Sequence, residues 1–165
     1  MGILDGRVAV VTVAGAGLGR SHALLLAAEG AGVVVNDLHG ARAVADEITA
    51  ARGRAVAVEG SVADMSVGQA CTDAALSAFG DLHSVVNNAG IIRDAMLWSM
   101  TEEQFDSVIA VHLKGAFSVT QPAARYWREQ SKAGVQQVRT IVNTSSSSGL
   151  HGNYGQWNYS AAKAG

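Results

Sequence analysis

Thr12-Val13-Ala14-Gly15-Ala16-Gly17-Leu18-Gly19-Arg20 follows directly on the apolar run Val8-Ala9-Val10-Val11. A short β-branched strand that empties into a glycine-rich turn, with helix-forming composition over 17–30, has strand–turn–helix order. In that order, small residues let a backbone approach phosphate oxygens. The helix start adds unpaired N–H groups and the positive end of its dipole. Tight helix–strand packing alone would also select glycine, so the next strand matters. Val33-Val34-Val35-Asn36-Asp37 ends in an acid 18 residues after Gly19. An acid at that distance can accept hydrogen bonds from adenosine ribose hydroxyls. It also repels a 2′-phosphate, and neither Ala16 nor Leu38 supplies a cation to hold one. The pattern therefore points to NAD rather than NADP.

Working outward, further β-branched runs fall at 8–13, 33–35, 55–58, 82–86 and 138–144, and helix-length segments at 17–30, 40–53, 65–79 and 101–131. Continuous apolar strands separated by helices imply right-handed crossovers and a parallel sheet covered on both faces. The predicted fold is α/β: a Rossmann-type doubly wound parallel sheet in three α/β/α layers, over 1–165 as one domain. Pro122, the single proline, is expected to kink or divide the last long helix. Residues 158–165 read as the opening of another helix.

Composition narrows the function classes. The 165 residues are 48% hydrophobic and 16% charged, with a formal net charge of −2. Neither disorder nor a nucleic-acid-binding surface is expected from that balance. The longest apolar run is strand-sized, so no membrane span is expected. A single cysteine, Cys71, allows no internal disulfide, and the N-terminus lacks a secretory pattern. The expectation is a reduced, cytoplasmic protein. The histidines show no metal-ligand spacing, so no metal is expected.

Tyr159 and Lys163 stand four residues apart, on one face if the segment is helical. A cation beside a phenol favours phenolate, which suits general acid/base work. Thirteen residues before Tyr159 lies Ser146, within a four-serine run after the last strand. Strand carboxyl ends are where ligands bind in open α/β sheets. A polar loop is the plainer reading of that run.

Together these residues resemble the short-chain dehydrogenase/reductase family. Thr12 to Gly19 matches its glycine turn, Asn87-Asn88-Ala89-Gly90 its Asn-Asn-Ala-Gly segment, and Tyr159 to Lys163 its Tyr-x-x-x-Lys. Ser146 falls on its catalytic serine. The resemblance implies a seven-stranded sheet with NAD(P) across its carboxyl edge. Gly15, Gly17, Leu18, Gly19, Asp37, Val62, Asn88, Ala89, Gly90, Tyr159 and Lys163 would contact the cofactor. Tyr159 would exchange a proton with the substrate oxygen, tuned by Lys163, with Ser146 holding that oxygen. His112 stands where many members carry a catalytic Asn.

Val35-Asn36-Asp37-Leu38, Val111-His112-Leu113-Lys114-Gly115 and Gly152-Asn153-Tyr154-Gly155-Gln156 resemble the dehydrogenase portion of multifunctional β-oxidation enzymes, which act on (3R)-hydroxyacyl-CoA thioesters. Two departures stand out. Val13 replaces the turn's first glycine, and β-branched residues are poorly suited to positive φ. The chain also stops two residues after Lys163, leaving the family domain incomplete at its C-terminus, with two strands missing and an open sheet edge. The leading expectation is an NAD-dependent dehydrogenase of a small-molecule secondary alcohol, a homo-oligomer if full length. An NADPH-dependent 3-ketoacyl reductase and a catalytically inactive fragment or pseudoenzyme stay open as alternatives.

Overall fold

The computed structural model describes residues 2–165. Five strands form one all-parallel sheet in the order β3-β2-β1-β4-β5. They are β1 (Val8–Thr12), β2 (Gly32–Asp37), β3 (Arg54–Glu59), β4 (Ser84–Asn87) and β5 (Thr140–Asn143). The helices between them are α1 (Gly17–Ala28), α2 (Ala41–Ala50), α3 (Met65–Phe79), α4 (Glu102–Ile109) and α5 (Gly115–Lys132). After β5 come the short α6 (Ser147–His151) and α7 (Trp157–Ala164). The expected parallel three-layer sheet is present, with five strands where the resemblance implies seven.

Side chains alternate along the strands, and this divides the core in two. Val11, Val33 and Val35 pack with Ala23 and Ala27 of α1 and with Val44 and Ile48 of α2. Val8, Val10, Val34 and Val85 face the other way, against Cys71 and Ala75 of α3 and Val119 and Ala123 of α5. Both faces of the central strands are therefore dry, which is why these strands read as unbroken valine runs. β5 differs: it forms the sheet edge and all four of its residues are exposed, Ile141 and Val142 among them.

Two expectations about the long helical stretch need revising. Its division falls at a π-helical turn, Ala110–Lys114, and not at Pro122, which sits inside α5. Proline cannot donate to the carbonyl four residues back, here Ser118. That oxygen instead faces α3, where any side chain on Gly68 would run into it. Ser118 Oγ also donates to the Asp64 carbonyl at 3.1 Å. The helix thus runs on through Pro122, with the Ser118 carbonyl packed closely against α3. The strand expected over 138–144 is shorter, Thr140–Asn143; Arg139, just before it, pairs with Asp81 at 2.7 Å.

At the amino end of the sheet, the Val8 N–H donates to His83 Nδ1 at 3.1 Å. That acceptor role puts the ring hydrogen on Nε2, which lies 2.7 Å from Gln137 Oε1. Burial holds His83 below the usual histidine range, against the opposing pull of Gln137 and Asp81.

Candidate active site

Strand order reverses direction between β1 and β4, so the loops leaving their carboxyl ends diverge and open a crevice. β1 delivers the glycine turn to this crevice. Val13 has φ 48°, in the left-handed region where a β-branched residue is strained. The turn then enters α1 with no side-chain cap, so its first N–H groups stay unpaired. Ala16, Gly17 and Leu18 are exposed, whereas Gly19 is buried and has no room for a side chain beside the Val13 carbonyl. At the end of β2, Asp37 Oδ2 accepts the Gly15 N–H at 2.9 Å. Arg20, the cation nearest to the turn in sequence, is engaged by Glu47 at 2.5 Å.

β4 delivers the Asn-Asn-Ala-Gly segment to the other wall. Thr12 Oγ1 accepts the N–H groups of Asn88 at 3.0 Å and of Ala89 at 2.9 Å. The Asn88 amide reaches back to the Thr12 carbonyl at 3.3 Å. One buried threonine hydroxyl thus sets the position of the second loop against the first. Asn87 points its amide to Thr120 at 2.9 Å and to Asn143 at 2.8 Å, joining β4 to α5 and β5.

The π-turn carries His112 inward, where it is 8% exposed. Its Nε2 lies 2.8 Å from the Ile91 carbonyl oxygen and 3.0 Å from the Ile91 nitrogen. The ring lies against Gly90 on one side and meets the Tyr159 ring edge-on, with 5.1 Å between centroids. Burial pushes His112 below the usual histidine range, and the Lys163 charge adds to that, while its bond to Ile91 opposes it. α7 supplies Tyr159 and Lys163 from one face. Lys163 Nζ is 5.8 Å from the centre of the Tyr159 ring and donates to the Thr144 carbonyl at 2.5 Å. Burial lowers Lys163 from the usual lysine range.

Ser146 is the serine at the start of α6, where its Oγ accepts the Ser148 N–H at 3.2 Å. That bond leaves the Ser146 hydrogen uncommitted. The serine run is therefore partly helical, and its hydroxyls cap and turn the chain. Val62 lies in the core against Gly115, 4% exposed. A pocket of about 230 Å³ opens between His112, Thr144 and Lys163 and the ends of β4 and β5.

One residue of the site escapes a reading of motifs. Asn158, immediately before Tyr159, is completely buried, and its amide donates to the carbonyls of Arg93 and Gln104, both at 2.9 Å. A polar residue next to a tyrosine carries no sequence signal of burial, and only its place at the start of a helix hints at capping.

A glycine turn with an acid on the next strand, an Asn-Asn-Ala-Gly wall and a helix bearing Tyr159 and Lys163 follow the carboxyl ends of strands of one parallel sheet. The short chain dehydrogenase family model matches residues 7–165, and the chain belongs to that family. It is 50% identical to the hydroxyacyl-CoA dehydrogenase ChsB1 of Mycobacterium tuberculosis, over 98% of this chain and 54% of that protein. It is 48% identical to the peroxisomal multifunctional enzyme type 2 of Drosophila melanogaster, over 98% of this chain and 27% of that protein. The crystal structure of a short chain dehydrogenase from Mycobacterium avium superposes with a TM-score of 0.96 at 53% identity, covering 99% of this chain and 62% of that one. The chain thus spans about half the length of the mycobacterial dehydrogenase it matches. No helix among the described residues is long and apolar enough to cross a membrane.

Proposed function

We propose that residues 1–165 form the dinucleotide-binding and catalytic part of an NAD-dependent dehydrogenase that oxidises a secondary alcohol, with a 3-hydroxyacyl thioester as substrate class. The observation that carries this reading is the Lys163 ammonium 5.8 Å from the Tyr159 ring, on the helix that closes the crevice. A cation at that place is positioned to hold a nicotinamide ribose beside the phenol-bearing residue.

The cradle suits NAD. Unpaired N–H groups at the start of α1 suit the pyrophosphate, with Gly15, Gly17, Leu18 and Gly19 letting it approach. Asp37 would accept from the adenosine ribose hydroxyls and disfavour a 2′-phosphate, and the engagement of Arg20 with Glu47 supports the same preference. Asn88, Ala89 and Gly90 would wall the nicotinamide half, and Val62 would border the adenine end from the core. When bound, NAD takes up the hydride that leaves the carbinol carbon. The chain's own residues do the rest. Ser146 donates its free hydrogen to the substrate oxygen and holds it beside Tyr159. Tyr159 takes the hydroxyl proton at Oη. Lys163 holds the nicotinamide ribose. His112 fixes Ile91 and the edge of the Tyr159 ring. The thioester class rests on the names of the relatives and on the His112 and Gly152–Gln156 signatures shared with multifunctional β-oxidation enzymes. A homo-oligomer is part of this reading for a full-length protein.

Calorimetric titration with NAD and NADP, followed by NADH absorbance with a (3R)-3-hydroxyacyl-CoA, tests it. Saturable binding that favours NAD and an absorbance rise lost in Tyr159→Phe are the expected results. Preference for NADP would move the reading to a ketoacyl reductase. Binding without turnover on any secondary alcohol would move it to a nucleotide-binding protein without catalysis.

A further inference from the structure

We propose that Asn158 is a positioning residue: it clamps the start of α7 to the segment after β4 and so sets where the Tyr159 phenol stands relative to His112. The inference rests on the reading of Tyr159 as the proton-transfer group, but its structural half can be tested apart from that reading.

Asn158 commits both amide hydrogens and its side-chain oxygen. The two amide hydrogens go to the Arg93 carbonyl and the Gln104 carbonyl, both at 2.9 Å, and Oδ1 accepts the Tyr159 N–H at 2.8 Å. These three bonds join three elements: the loop leaving β4, helix α4 and helix α7. The side chain is fully enclosed, so water cannot replace any of them.

The contacts close a ring. Ile91, two residues before Arg93, is held by His112 Nε2 at 2.8 Å. The His112 ring meets the Tyr159 ring edge-on, at 5.1 Å between centroids. From Tyr159 the path runs through Asn158 to Arg93, along the chain to Ile91, across to His112 and back to Tyr159. The other polar ties at this end of α7, Gln156 to Asp94 at 3.1 Å and Ala95 N–H to the Gly155 carbonyl at 2.8 Å, hold the turn before the helix. Asn158 alone among these ties lies adjacent to the phenol-bearing residue and inside the core. Removing its amide frees α7 to slide along α4 while Tyr159 and Lys163, sharing one helix, keep their own spacing. The consequence is a misplaced phenol with an intact Tyr–Lys pair.

The test is proton NMR of the His112 ring in the 165-residue chain, with Tyr159→Leu marking where those signals fall when the Tyr ring is gone. Asn158→Ser keeps an oxygen able to cap the Tyr159 N–H but has no amide for the two carbonyls. In that variant the His112 ring signals are expected to move toward their Tyr159→Leu positions while the amide spectrum stays dispersed. kcat is expected to fall by about 10²-fold, the scale of a misplacement near 1 Å, and NAD to bind more weakly, because Lys163 travels with α7. His112 signals that remain at their wild-type positions would overturn the proposal. If Asn158→Ser does not fold, hydrogen exchange of the Asn158 side-chain amide in the unmodified chain decides. Strong protection supports the clamp, and exchange at the rate of an exposed asparagine overturns it. Absence of any alcohol oxidation would count against the dehydrogenase reading, and the His112 signals would still decide the clamp.

Discussion

Val13 is the residue to perturb first, because its backbone and its side chain make separable demands. At φ 48° it holds a left-handed conformation that costs a residue bearing Cβ about 1–2 kcal/mol. Glycine escapes that cost but is freer in the unfolded chain, which takes back roughly 0.4–1 kcal/mol. Val13→Gly alone would mix these effects with loss of the half-buried isopropyl group. Val13→Ala loses the same group and keeps the strain, so the comparison of Gly with Ala isolates the backbone. Glycine should be the more stable variant by roughly 0.5–1 kcal/mol, the reverse of their order in an ordinary helix or strand. With a urea slope of about 2 kcal/mol per M, its unfolding midpoint should lie about 0.3–0.5 M above that of alanine. An alanine variant as stable as the glycine variant would refute the strain argument. Calorimetry with NAD adds the functional half. If methyl groups crowd the pyrophosphate, both variants tighten binding, and if backbone strain holds the turn out of shape, only glycine does. An unchanged dissociation constant in Val13→Gly would sink both explanations.

Four further outcomes follow from the geometry. Tyr159→Phe should lower alcohol oxidation by about 10²–10⁴-fold, the range for losing a general acid/base, with NAD affinity retained by calorimetry. Asp37→Ala removes the acceptor of the Gly15 N–H. It should weaken NAD by about tenfold, equivalent to roughly 1.4 kcal/mol, and leave NADP affinity unchanged or better in a parallel titration. Gly68→Ala drives a methyl group into the Ser118 carbonyl oxygen; a loss of about 1–3 kcal/mol in denaturant melts is expected, and a neutral result would disprove the close contact. His83 is depressed by burial, and its Nδ1 must stay unprotonated to accept from Val8. Its folded value lies below its unfolded value, so its contribution is complete above about pH 6.5 and is lost as pH falls through the folded value. Thermal melts from pH 7.5 to 5 should show this loss, and His83→Gln should flatten it.

The α/β class was legible because β1 and β2 are buried on both faces, and that writes itself into the chain as continuous valine runs. The crevice was legible because a glycine turn, an acid at the end of β2 and a Tyr–Lys pair each carry a spacing that chemistry imposes. Other features left no such trace. The π-turn at Ala110–Lys114 inserts an extra residue into an apolar periodicity, and the shift is too brief to stand out. Proline drew the eye to position 122, although α5 runs on through it. α6 hid among serines because its start depends on Ser146 Oγ reaching the Ser148 N–H, a tie no composition rule reports. Asn158 escaped because burial of a polar residue depends on carbonyls 54 and 65 residues away.

The π-turn also bears on which changes of chain length this protein tolerates. Each residue of an α-helix advances the chain by about 100° around the axis. One residue lost between Ala110 and Lys114 would let α4 and α5 fuse into a straight α-helix, an attractive local outcome. The wide turn already absorbs its extra residue, so the flanking helices would keep nearly their present phase and Val119 and Ala123 would still cover the sheet face, whereas His112, carried by the turn itself, would be pulled from Ile91. A residue lost from the exposed stretch 134–136 touches no such contact of the site. Length variation should therefore be suppressed inside a helix that looks featureless and permitted in a loop that looks constrained by its neighbours. The extra residue is held as a bulge that presents His112 to the site without disturbing the core on either side.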